Sequence, residues 1–183
     1  MKQTFKLLLL AALTAASLTT AEAQLSQFGR HAQRGGQASQ GTSFLDITEF
    51  GYAFGTGDFR NAGHISFYEI CLVQFSPRFG LGMGAGANYY TEVEGYNMPL
   101  FGMVRLGAGS GWATFFADAR LGYSLGDIRG LYFMPTVGVR FGEGRAFTVS
   151  LGYEMQRFRT PDAYGDERSY TVKSLSLRLG YEL

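Results

Sequence analysis

From Gly41 to Leu183 the chain alternates apolar and polar residues in eight separable stretches. The last is the clearest. Leu175, Leu177, Leu179, Tyr181 and Leu183 fall on one face of an extended strand, with Ser176, Arg178, Gly180 and Glu182 on the other, because successive side chains of a strand point to opposite sides. The pattern predicts strands over 43–54, 64–75, 79–90, 98–107, 112–124, 131–141, 146–158 and 170–183. Each is near or above the roughly 9–11 residues that a tilted strand needs to cross a bilayer. Beyond the N-terminal apolar segment, nothing reads as a long helix.

The connections alternate in kind. Ser76-Pro77-Arg78, residues 108–111 and Gly142-Glu143-Gly144-Arg145 read as tight turns, whereas 55–63, 91–97, 125–130 and 159–169 read as longer, more polar loops. That alternation fits an all-β fold, an eight-stranded antiparallel transmembrane β-barrel with short periplasmic turns, longer extracellular loops and both barrel termini on the periplasmic side. Antiparallel partners have a constant index sum. A sum of 330 in the last hairpin pairs Phe147 with Leu183, Val149 with Tyr181, Leu151 with Leu179, Tyr153 with Leu177 and Met155 with Leu175.

The N-terminus supplies the compartment. Lys2 and Lys6, the apolar run Leu7–Leu13 and Ala21-Glu22-Ala23 have the layout of a secretory signal over residues 1–23, cleaved before Gln24. Residues 24–40, rich in Gln, Gly, Ser and Ala, read as a flexible periplasmic leader ahead of a barrel over 41–183. Cleavage takes two of the sixteen basic residues and one of the fifteen acidic ones, leaving fourteen of each. A formal charge of zero gives no pull on nucleic acid. After cleavage Lys173 is the one lysine, and the remaining cations are arginines, suited to fixed, multiply bonded pairs with carboxylates. A single cysteine, Cys71, excludes an intramolecular disulfide.

At this point the chain resembles the small outer-membrane β-barrel proteins, the porin-like families with OmpA/OmpX-type eight-stranded architecture. Gly80–Gly86, Met98-Pro99-Leu100-Phe101, Ala117–Ser124, Val137–Gly142 and Leu179–Leu183 carry the likeness. It implies an outer-membrane location, outer-membrane lipids as surroundings, and assembly machinery that reads the C-terminal strand. The chain ends in Leu183 where such proteins commonly end in an aromatic residue, so Tyr181 is the candidate for that signal.

Parity places Glu69, Arg105, Asp118, Arg120, Arg140, Glu154, Arg178 and Glu182 in the lumen, four acids against four arginines. Charges in a narrow protein interior must be paired or stay wet, so a structural ion-pair network is expected rather than acid–base catalysis. Gly80, Gly82, Gly84 and Gly86 also point inward and leave room for large side chains. Gly82–Ala87 matches the dinucleotide pattern G-x-G-x-x-A, but strand-like residues follow where that motif needs a helix. The only histidines, His31 and His64, form no metal signature, and His64 near a strand start is expected as a solvated rim residue rather than a catalytic base. No cofactor is implied.

Two segments resist simple assignment. Asp46 and Thr48 share one parity and Glu49 has the other, which suggests a bulge or slip in 44–54. Pro135 must lie at a non-hydrogen-bonded or bulged site. In the 330 register Arg157 pairs with Lys173 and Arg159 with Thr171, clustering three cations just above the apolar band at the level of lipopolysaccharide phosphates. The function expected is that of a monomeric, non-enzymatic barrel with a structural or surface-interaction role. A porin-like transporter of small solutes and a lipid-modifying enzyme are the alternatives.

Overall fold

The computed structural model describes residues 42–56, 63–91, 95–161 and 167–183; the expected signal and leader lie outside them. Eight strands form, β1 (Ser43–Gly55), β2 (His64–Ser76), β3 (Phe79–Tyr90), β4 (Gly95–Ala108), β5 (Ala113–Gly126), β6 (Gly130–Phe141), β7 (Ala146–Pro161) and β8 (Glu167–Glu182). Each pairs antiparallel with its neighbours, and β8 returns to β1 to close the barrel. Followed strand to strand from Thr48, the register passes Glu69, Ala85, Leu100, Tyr123, Leu131 and Arg157 to Thr171, whereas Thr48 itself pairs with Tyr181. The sheet therefore closes with a stagger of ten residues, which tilts the strands.

The walls are inverted relative to a protein folded in water. Phe44, Phe50, Met83, Leu106, Phe115, Leu121, Val137, Phe147 and Leu179 point outward and are more than half exposed, while the interior holds ion pairs. Aromatic rings gather at the turn-side strand ends, where Phe75 stacks on Phe79 and Phe147 packs against Tyr181.

Three details depart from the expectations. The last hairpin pairs Phe147 with Tyr181, Val149 with Leu179, Leu151 with Leu177, Tyr153 with Leu175 and Met155 with Lys173, two residues away from the 330 register. A two-residue slide leaves every side chain on its own face, so alternation could not detect it. It carries Leu183 past Ala146 to bond reciprocally with Asp46 of β1. Secondly, β7 and β8 run on through Pro161 and from Glu167, into residues read as loop. Their sequence there is polar on both faces, which hides the period. Thirdly, β1 pairs with both neighbours without a slip, and the irregularity falls instead between Gln74 and Ser76.

Pro135 pairs with Ala119 on β5, while its β7 ladder skips from Phe133–Met155 to Thr136–Gly152. The missing N–H thus faces a gap in an unchanged register. Gly122 answers a different need: a Cβ there would stand 1.9 Å from the Leu100 carbonyl oxygen, so β4 and β5 approach each other only with glycine at this point.

Candidate functional site: the lumen network

The lumen is stacked in layers. At the turn end, Arg105 on β4 donates from Nε and Nη2 to both oxygens of Asp118 on β5, at 2.8 and 2.9 Å. Its Nη1 donates to Glu182 on β8 at 2.6 Å. Glu182 also accepts from Arg140 Nε at 2.6 Å, and Arg140 spends its other two nitrogens on the Gly142 and Gly144 carbonyls. Gly142 and Gly144 turn those carbonyls inward from φ of 123° and 78°, conformations that favour glycine.

The middle layer spans the barrel. Arg120 on β5 reaches across to Glu49 on β1 and makes a two-pronged pair, both contacts 2.7 Å long. Arg178 on β8 donates to Glu154 at 3.4 Å and to the Tyr68 hydroxyl at 3.3 Å, with its guanidinium 4.3 Å from the centre of the Tyr68 ring. The guanidinium of Arg120 lies 5.5 Å from the Phe101 ring centre. Arg120, Arg178, Tyr68, Tyr132 and Met134 are wholly buried, so side chains fill the centre. Glycine makes this possible, since a Cβ on Gly86 would meet the Tyr68 ring at 2.3 Å and one on Gly84 the Phe101 ring at 2.7 Å.

The loop-side layer is polar but less charged. His64 Nε2 lies 3.3 Å from Glu154, Tyr68 donates to Asn88, and Asn97 donates to Gln156 and to the Tyr90 hydroxyl. His64 is therefore a buried partner of Glu154 rather than a solvated rim residue. Among the described residues, no group of three or more His, Cys, Asp or Glu side chains is placed to hold a metal ion.

Of the eight residues expected here, Arg105, Asp118, Arg120, Arg140, Glu154, Arg178 and Glu182 enter the network. Glu69 does not. It points outward and accepts from the Thr48 hydroxyl, because the inward face of β2 is Ser66, Tyr68, Ile70 and Leu72. Its place is taken by Glu49, and the lumen still balances four acids with four arginines. The signal for Glu49 was present in β1, where Phe44, Phe50, Tyr52 and Phe54 share one parity and mark the outer side.

The rim cluster also changes. Lys173 pairs with Met155, Arg157 with Thr171 and Arg159 with Ser169. Arg157 and Lys173 are thus diagonal outward neighbours instead of direct partners, and the Arg159 side chain lies outside the described residues.

A blind vestibule of about 650 Å³ opens at the turn end, lined by Ser43, Gln74, Arg78, Arg105, Arg140 and Glu182 among others. The arginines at its inner end, Arg105 and Arg140, direct their hydrogen bonds to Asp118, Glu182 and the Gly142 and Gly144 carbonyls.

No family model matches the chain, and no curated protein matches it. Solved structures do. Neisserial surface protein A shares 10% identity over 78% of this chain and 98% of its own, with a TM-score of 0.60. A de novo designed transmembrane β-barrel (13% identity, 81% and 100% covered) and the N-terminal β-barrel domain of Pseudomonas aeruginosa OprF (13%, 79% and 100%) both reach a TM-score of 0.46, too low to add to the argument. Similarity at this level speaks to fold alone, and it agrees with the topology: the chain has the closed, antiparallel, eight-stranded barrel fold that it shares with Neisserial surface protein A.

Proposed function

We propose that the chain is a small integral barrel of an outer membrane, with a structural or surface-interaction role and a lumen closed by its own side chains. The inverted wall carries this reading, because exposed Phe, Leu, Val and Met around the barrel would be costly in water and are at home in hydrocarbon. The export signal expected at 1–23 and an apolar band bounded by aromatic strand ends support the outer membrane in particular. On that reading the turns and barrel termini face the periplasm, and the C-terminal strand is the segment offered to assembly machinery.

Transport is the weaker reading because the Arg120–Glu49 pair crosses the lumen in a fully buried layer, and eight strands leave an interior that side chains can fill. Catalysis is weaker still, since His64 is wholly buried against Glu154. The purified chain in planar bilayers is expected to show no steady conductance. Stable channel steps of about a nanosiemens, which require a wide aqueous path, would overturn the closed lumen. Arg157 and Lys173, outward at the loop-side ends of β7 and β8, are the proposed contacts for lipopolysaccharide phosphates.

A further inference from the structure

Below Arg157, Thr171 and Lys173 at the loop-side ends, the described outward positions of β3 to β8 are apolar, aromatic or glycine between the turns, from Leu81 and Met83 round to Leu177 and Leu179. The wall of β1 and β2 is different. Asp46 pairs in register with Cys71 and Thr48 with Glu69, all four pointing outward. Glu69 is the sixth of thirteen residues of β2, so it stands in the middle of the wall and not at either rim. If the barrel is embedded as proposed above, on which this inference rests, a carboxyl group faces acyl chains at mid-depth. Such groups are rare and costly in contact with lipid, and they find a protein partner when one is available.

The chemistry of the patch restricts that partner. The Thr48 hydroxyl is already donated to Glu69, at 3.0 and 3.1 Å to its two oxygens, so a partner docking on Glu69 meets acceptors and is suited by a donor. The rest of the described outer wall brings no cation to this depth, its outward arginine and lysine being at the loop-side ends. A second copy docked anywhere else would leave the Glu69 carboxyl facing apolar side chains. Docked patch to patch, it supplies what is missing, because a carboxyl group that holds a proton carries one donor and one acceptor and is complementary to itself. A two-fold axis passing beside Glu69 brings that residue opposite its own copy. The surroundings suit close approach: Ala85 is the register neighbour of Glu69 on β3, and exposed Phe44 and Phe50 flank the patch with apolar surface.

We infer that the β1–β2 wall is a two-fold interface at which two copies of this chain meet within the membrane, Glu69 against Glu69. The barrel is then a dimer and not the monomer expected from the sequence. Cys71 is exposed beside the pair and serves as a reporter.

Full-length protein is refolded into phospholipid vesicles and oxidised with copper phenanthroline. The expected result is a disulfide-linked dimer through Cys71, and none above background in the Cys71→Ser/Val137→Cys variant, whose thiol is exposed on the opposite wall. Glu69→Gln, whose amide is also self-complementary, keeps the dimer, whereas Glu69→Leu lowers the dimer fraction about tenfold. Each sample is checked for flotation with vesicles and for the mobility of a folded barrel. Protein that floats and is folded but monomeric overturns the interface alone; protein that does not float overturns the membrane reading beneath it. Equal cross-linking in Glu69→Leu and the parent, or loss of the dimer in Glu69→Gln, also overturns the carboxyl pair, the latter pointing to a partner that brings a cation.

Discussion

Glu49 and Glu69 stand on adjacent strands one residue out of step, Glu49 opposite Tyr68 and Glu69 opposite Thr48. That single step sends one carboxylate into the lumen and the other onto the outer wall. Inside, Glu49 receives both prongs of the Arg120 guanidinium, in a fully buried layer. Outside, Glu69 receives a hydroxyl and is otherwise open to whatever surrounds the barrel. The same functional group is thus tied to the fold on one face and to the environment on the other.

The comparison is broken most directly by stranding the inner carboxylate. Arg120→Met should cost about 3–5 kcal/mol, since removing one partner leaves a buried charge uncompensated. Adding Glu49→Gln should recover much of the loss. Urea unfolding in lipid vesicles measures both, and a single variant as stable as the parent would refute the clamp.

A second inner pair gives a smaller and sharper number. Asp118→Asn and Arg105→Gln should be non-additive by about 1–3 kcal/mol in a double-mutant cycle, as expected of groups sharing two short hydrogen bonds. Additive losses would show that Glu182 alone holds Arg105.

On the outer wall the sign should reverse. Measured on monomers in detergent, Glu69→Leu should leave unfolding unchanged or more difficult, by no more than about 1 kcal/mol, because nothing in the lumen depends on it. A loss as large as that for Arg120→Met would mean that the wall carboxylate also supports the fold.

The effect that depends most on the surrounding lipid is expected at the loop-side rim. Replacing Arg157 and Lys173 with Ala should lower stability by about 1 kcal/mol per cation at an anionic surface, and less in zwitterionic lipid. Equal losses in lipopolysaccharide-containing and zwitterionic membranes would remove the proposed phosphate contact.

How far the sequence could be read follows the same division between faces. Strand number, order and most boundaries were legible because β4 to β8 alternate cleanly, with Arg105, Asp118, Arg120, Arg140, Glu154, Arg178 and Glu182 on the inner parity. β1 and β2 were not legible by the rule that charges face inward. β2 carries Tyr68, Ile70 and Leu72 inside and Ile65, Phe67 and Val73 outside, so hydrophobicity does not distinguish its faces. In β1 the charged residues divide between the faces, Asp46 out and Glu49 in, and only the aromatic parity tells which is which. Register was hidden for a geometric reason, since a slide of two residues preserves every face and only the closure of Leu183 onto Asp46 selects among the alternatives.

Seven of the eight pairings in the barrel join strands next to one another in sequence, and one, between Ile47–Gly55 and Ser174–Glu182, joins the two ends of the sheet. Hairpins form by local search, so the cost of long loop closure is concentrated at that seam. Until it shuts, β1 and β8 are both open edges. The arginines that cross the lumen all reach a seam strand: Arg120 takes Glu49 of β1, Arg105 takes Glu182 of β8, and Arg178 leaves β8 for Glu154 of β7 while lying 3.9 Å from Glu49. The charged interior thereby works as a latch in time as well as a plug in space, closing the last gap between strands that have no turn to bring them together.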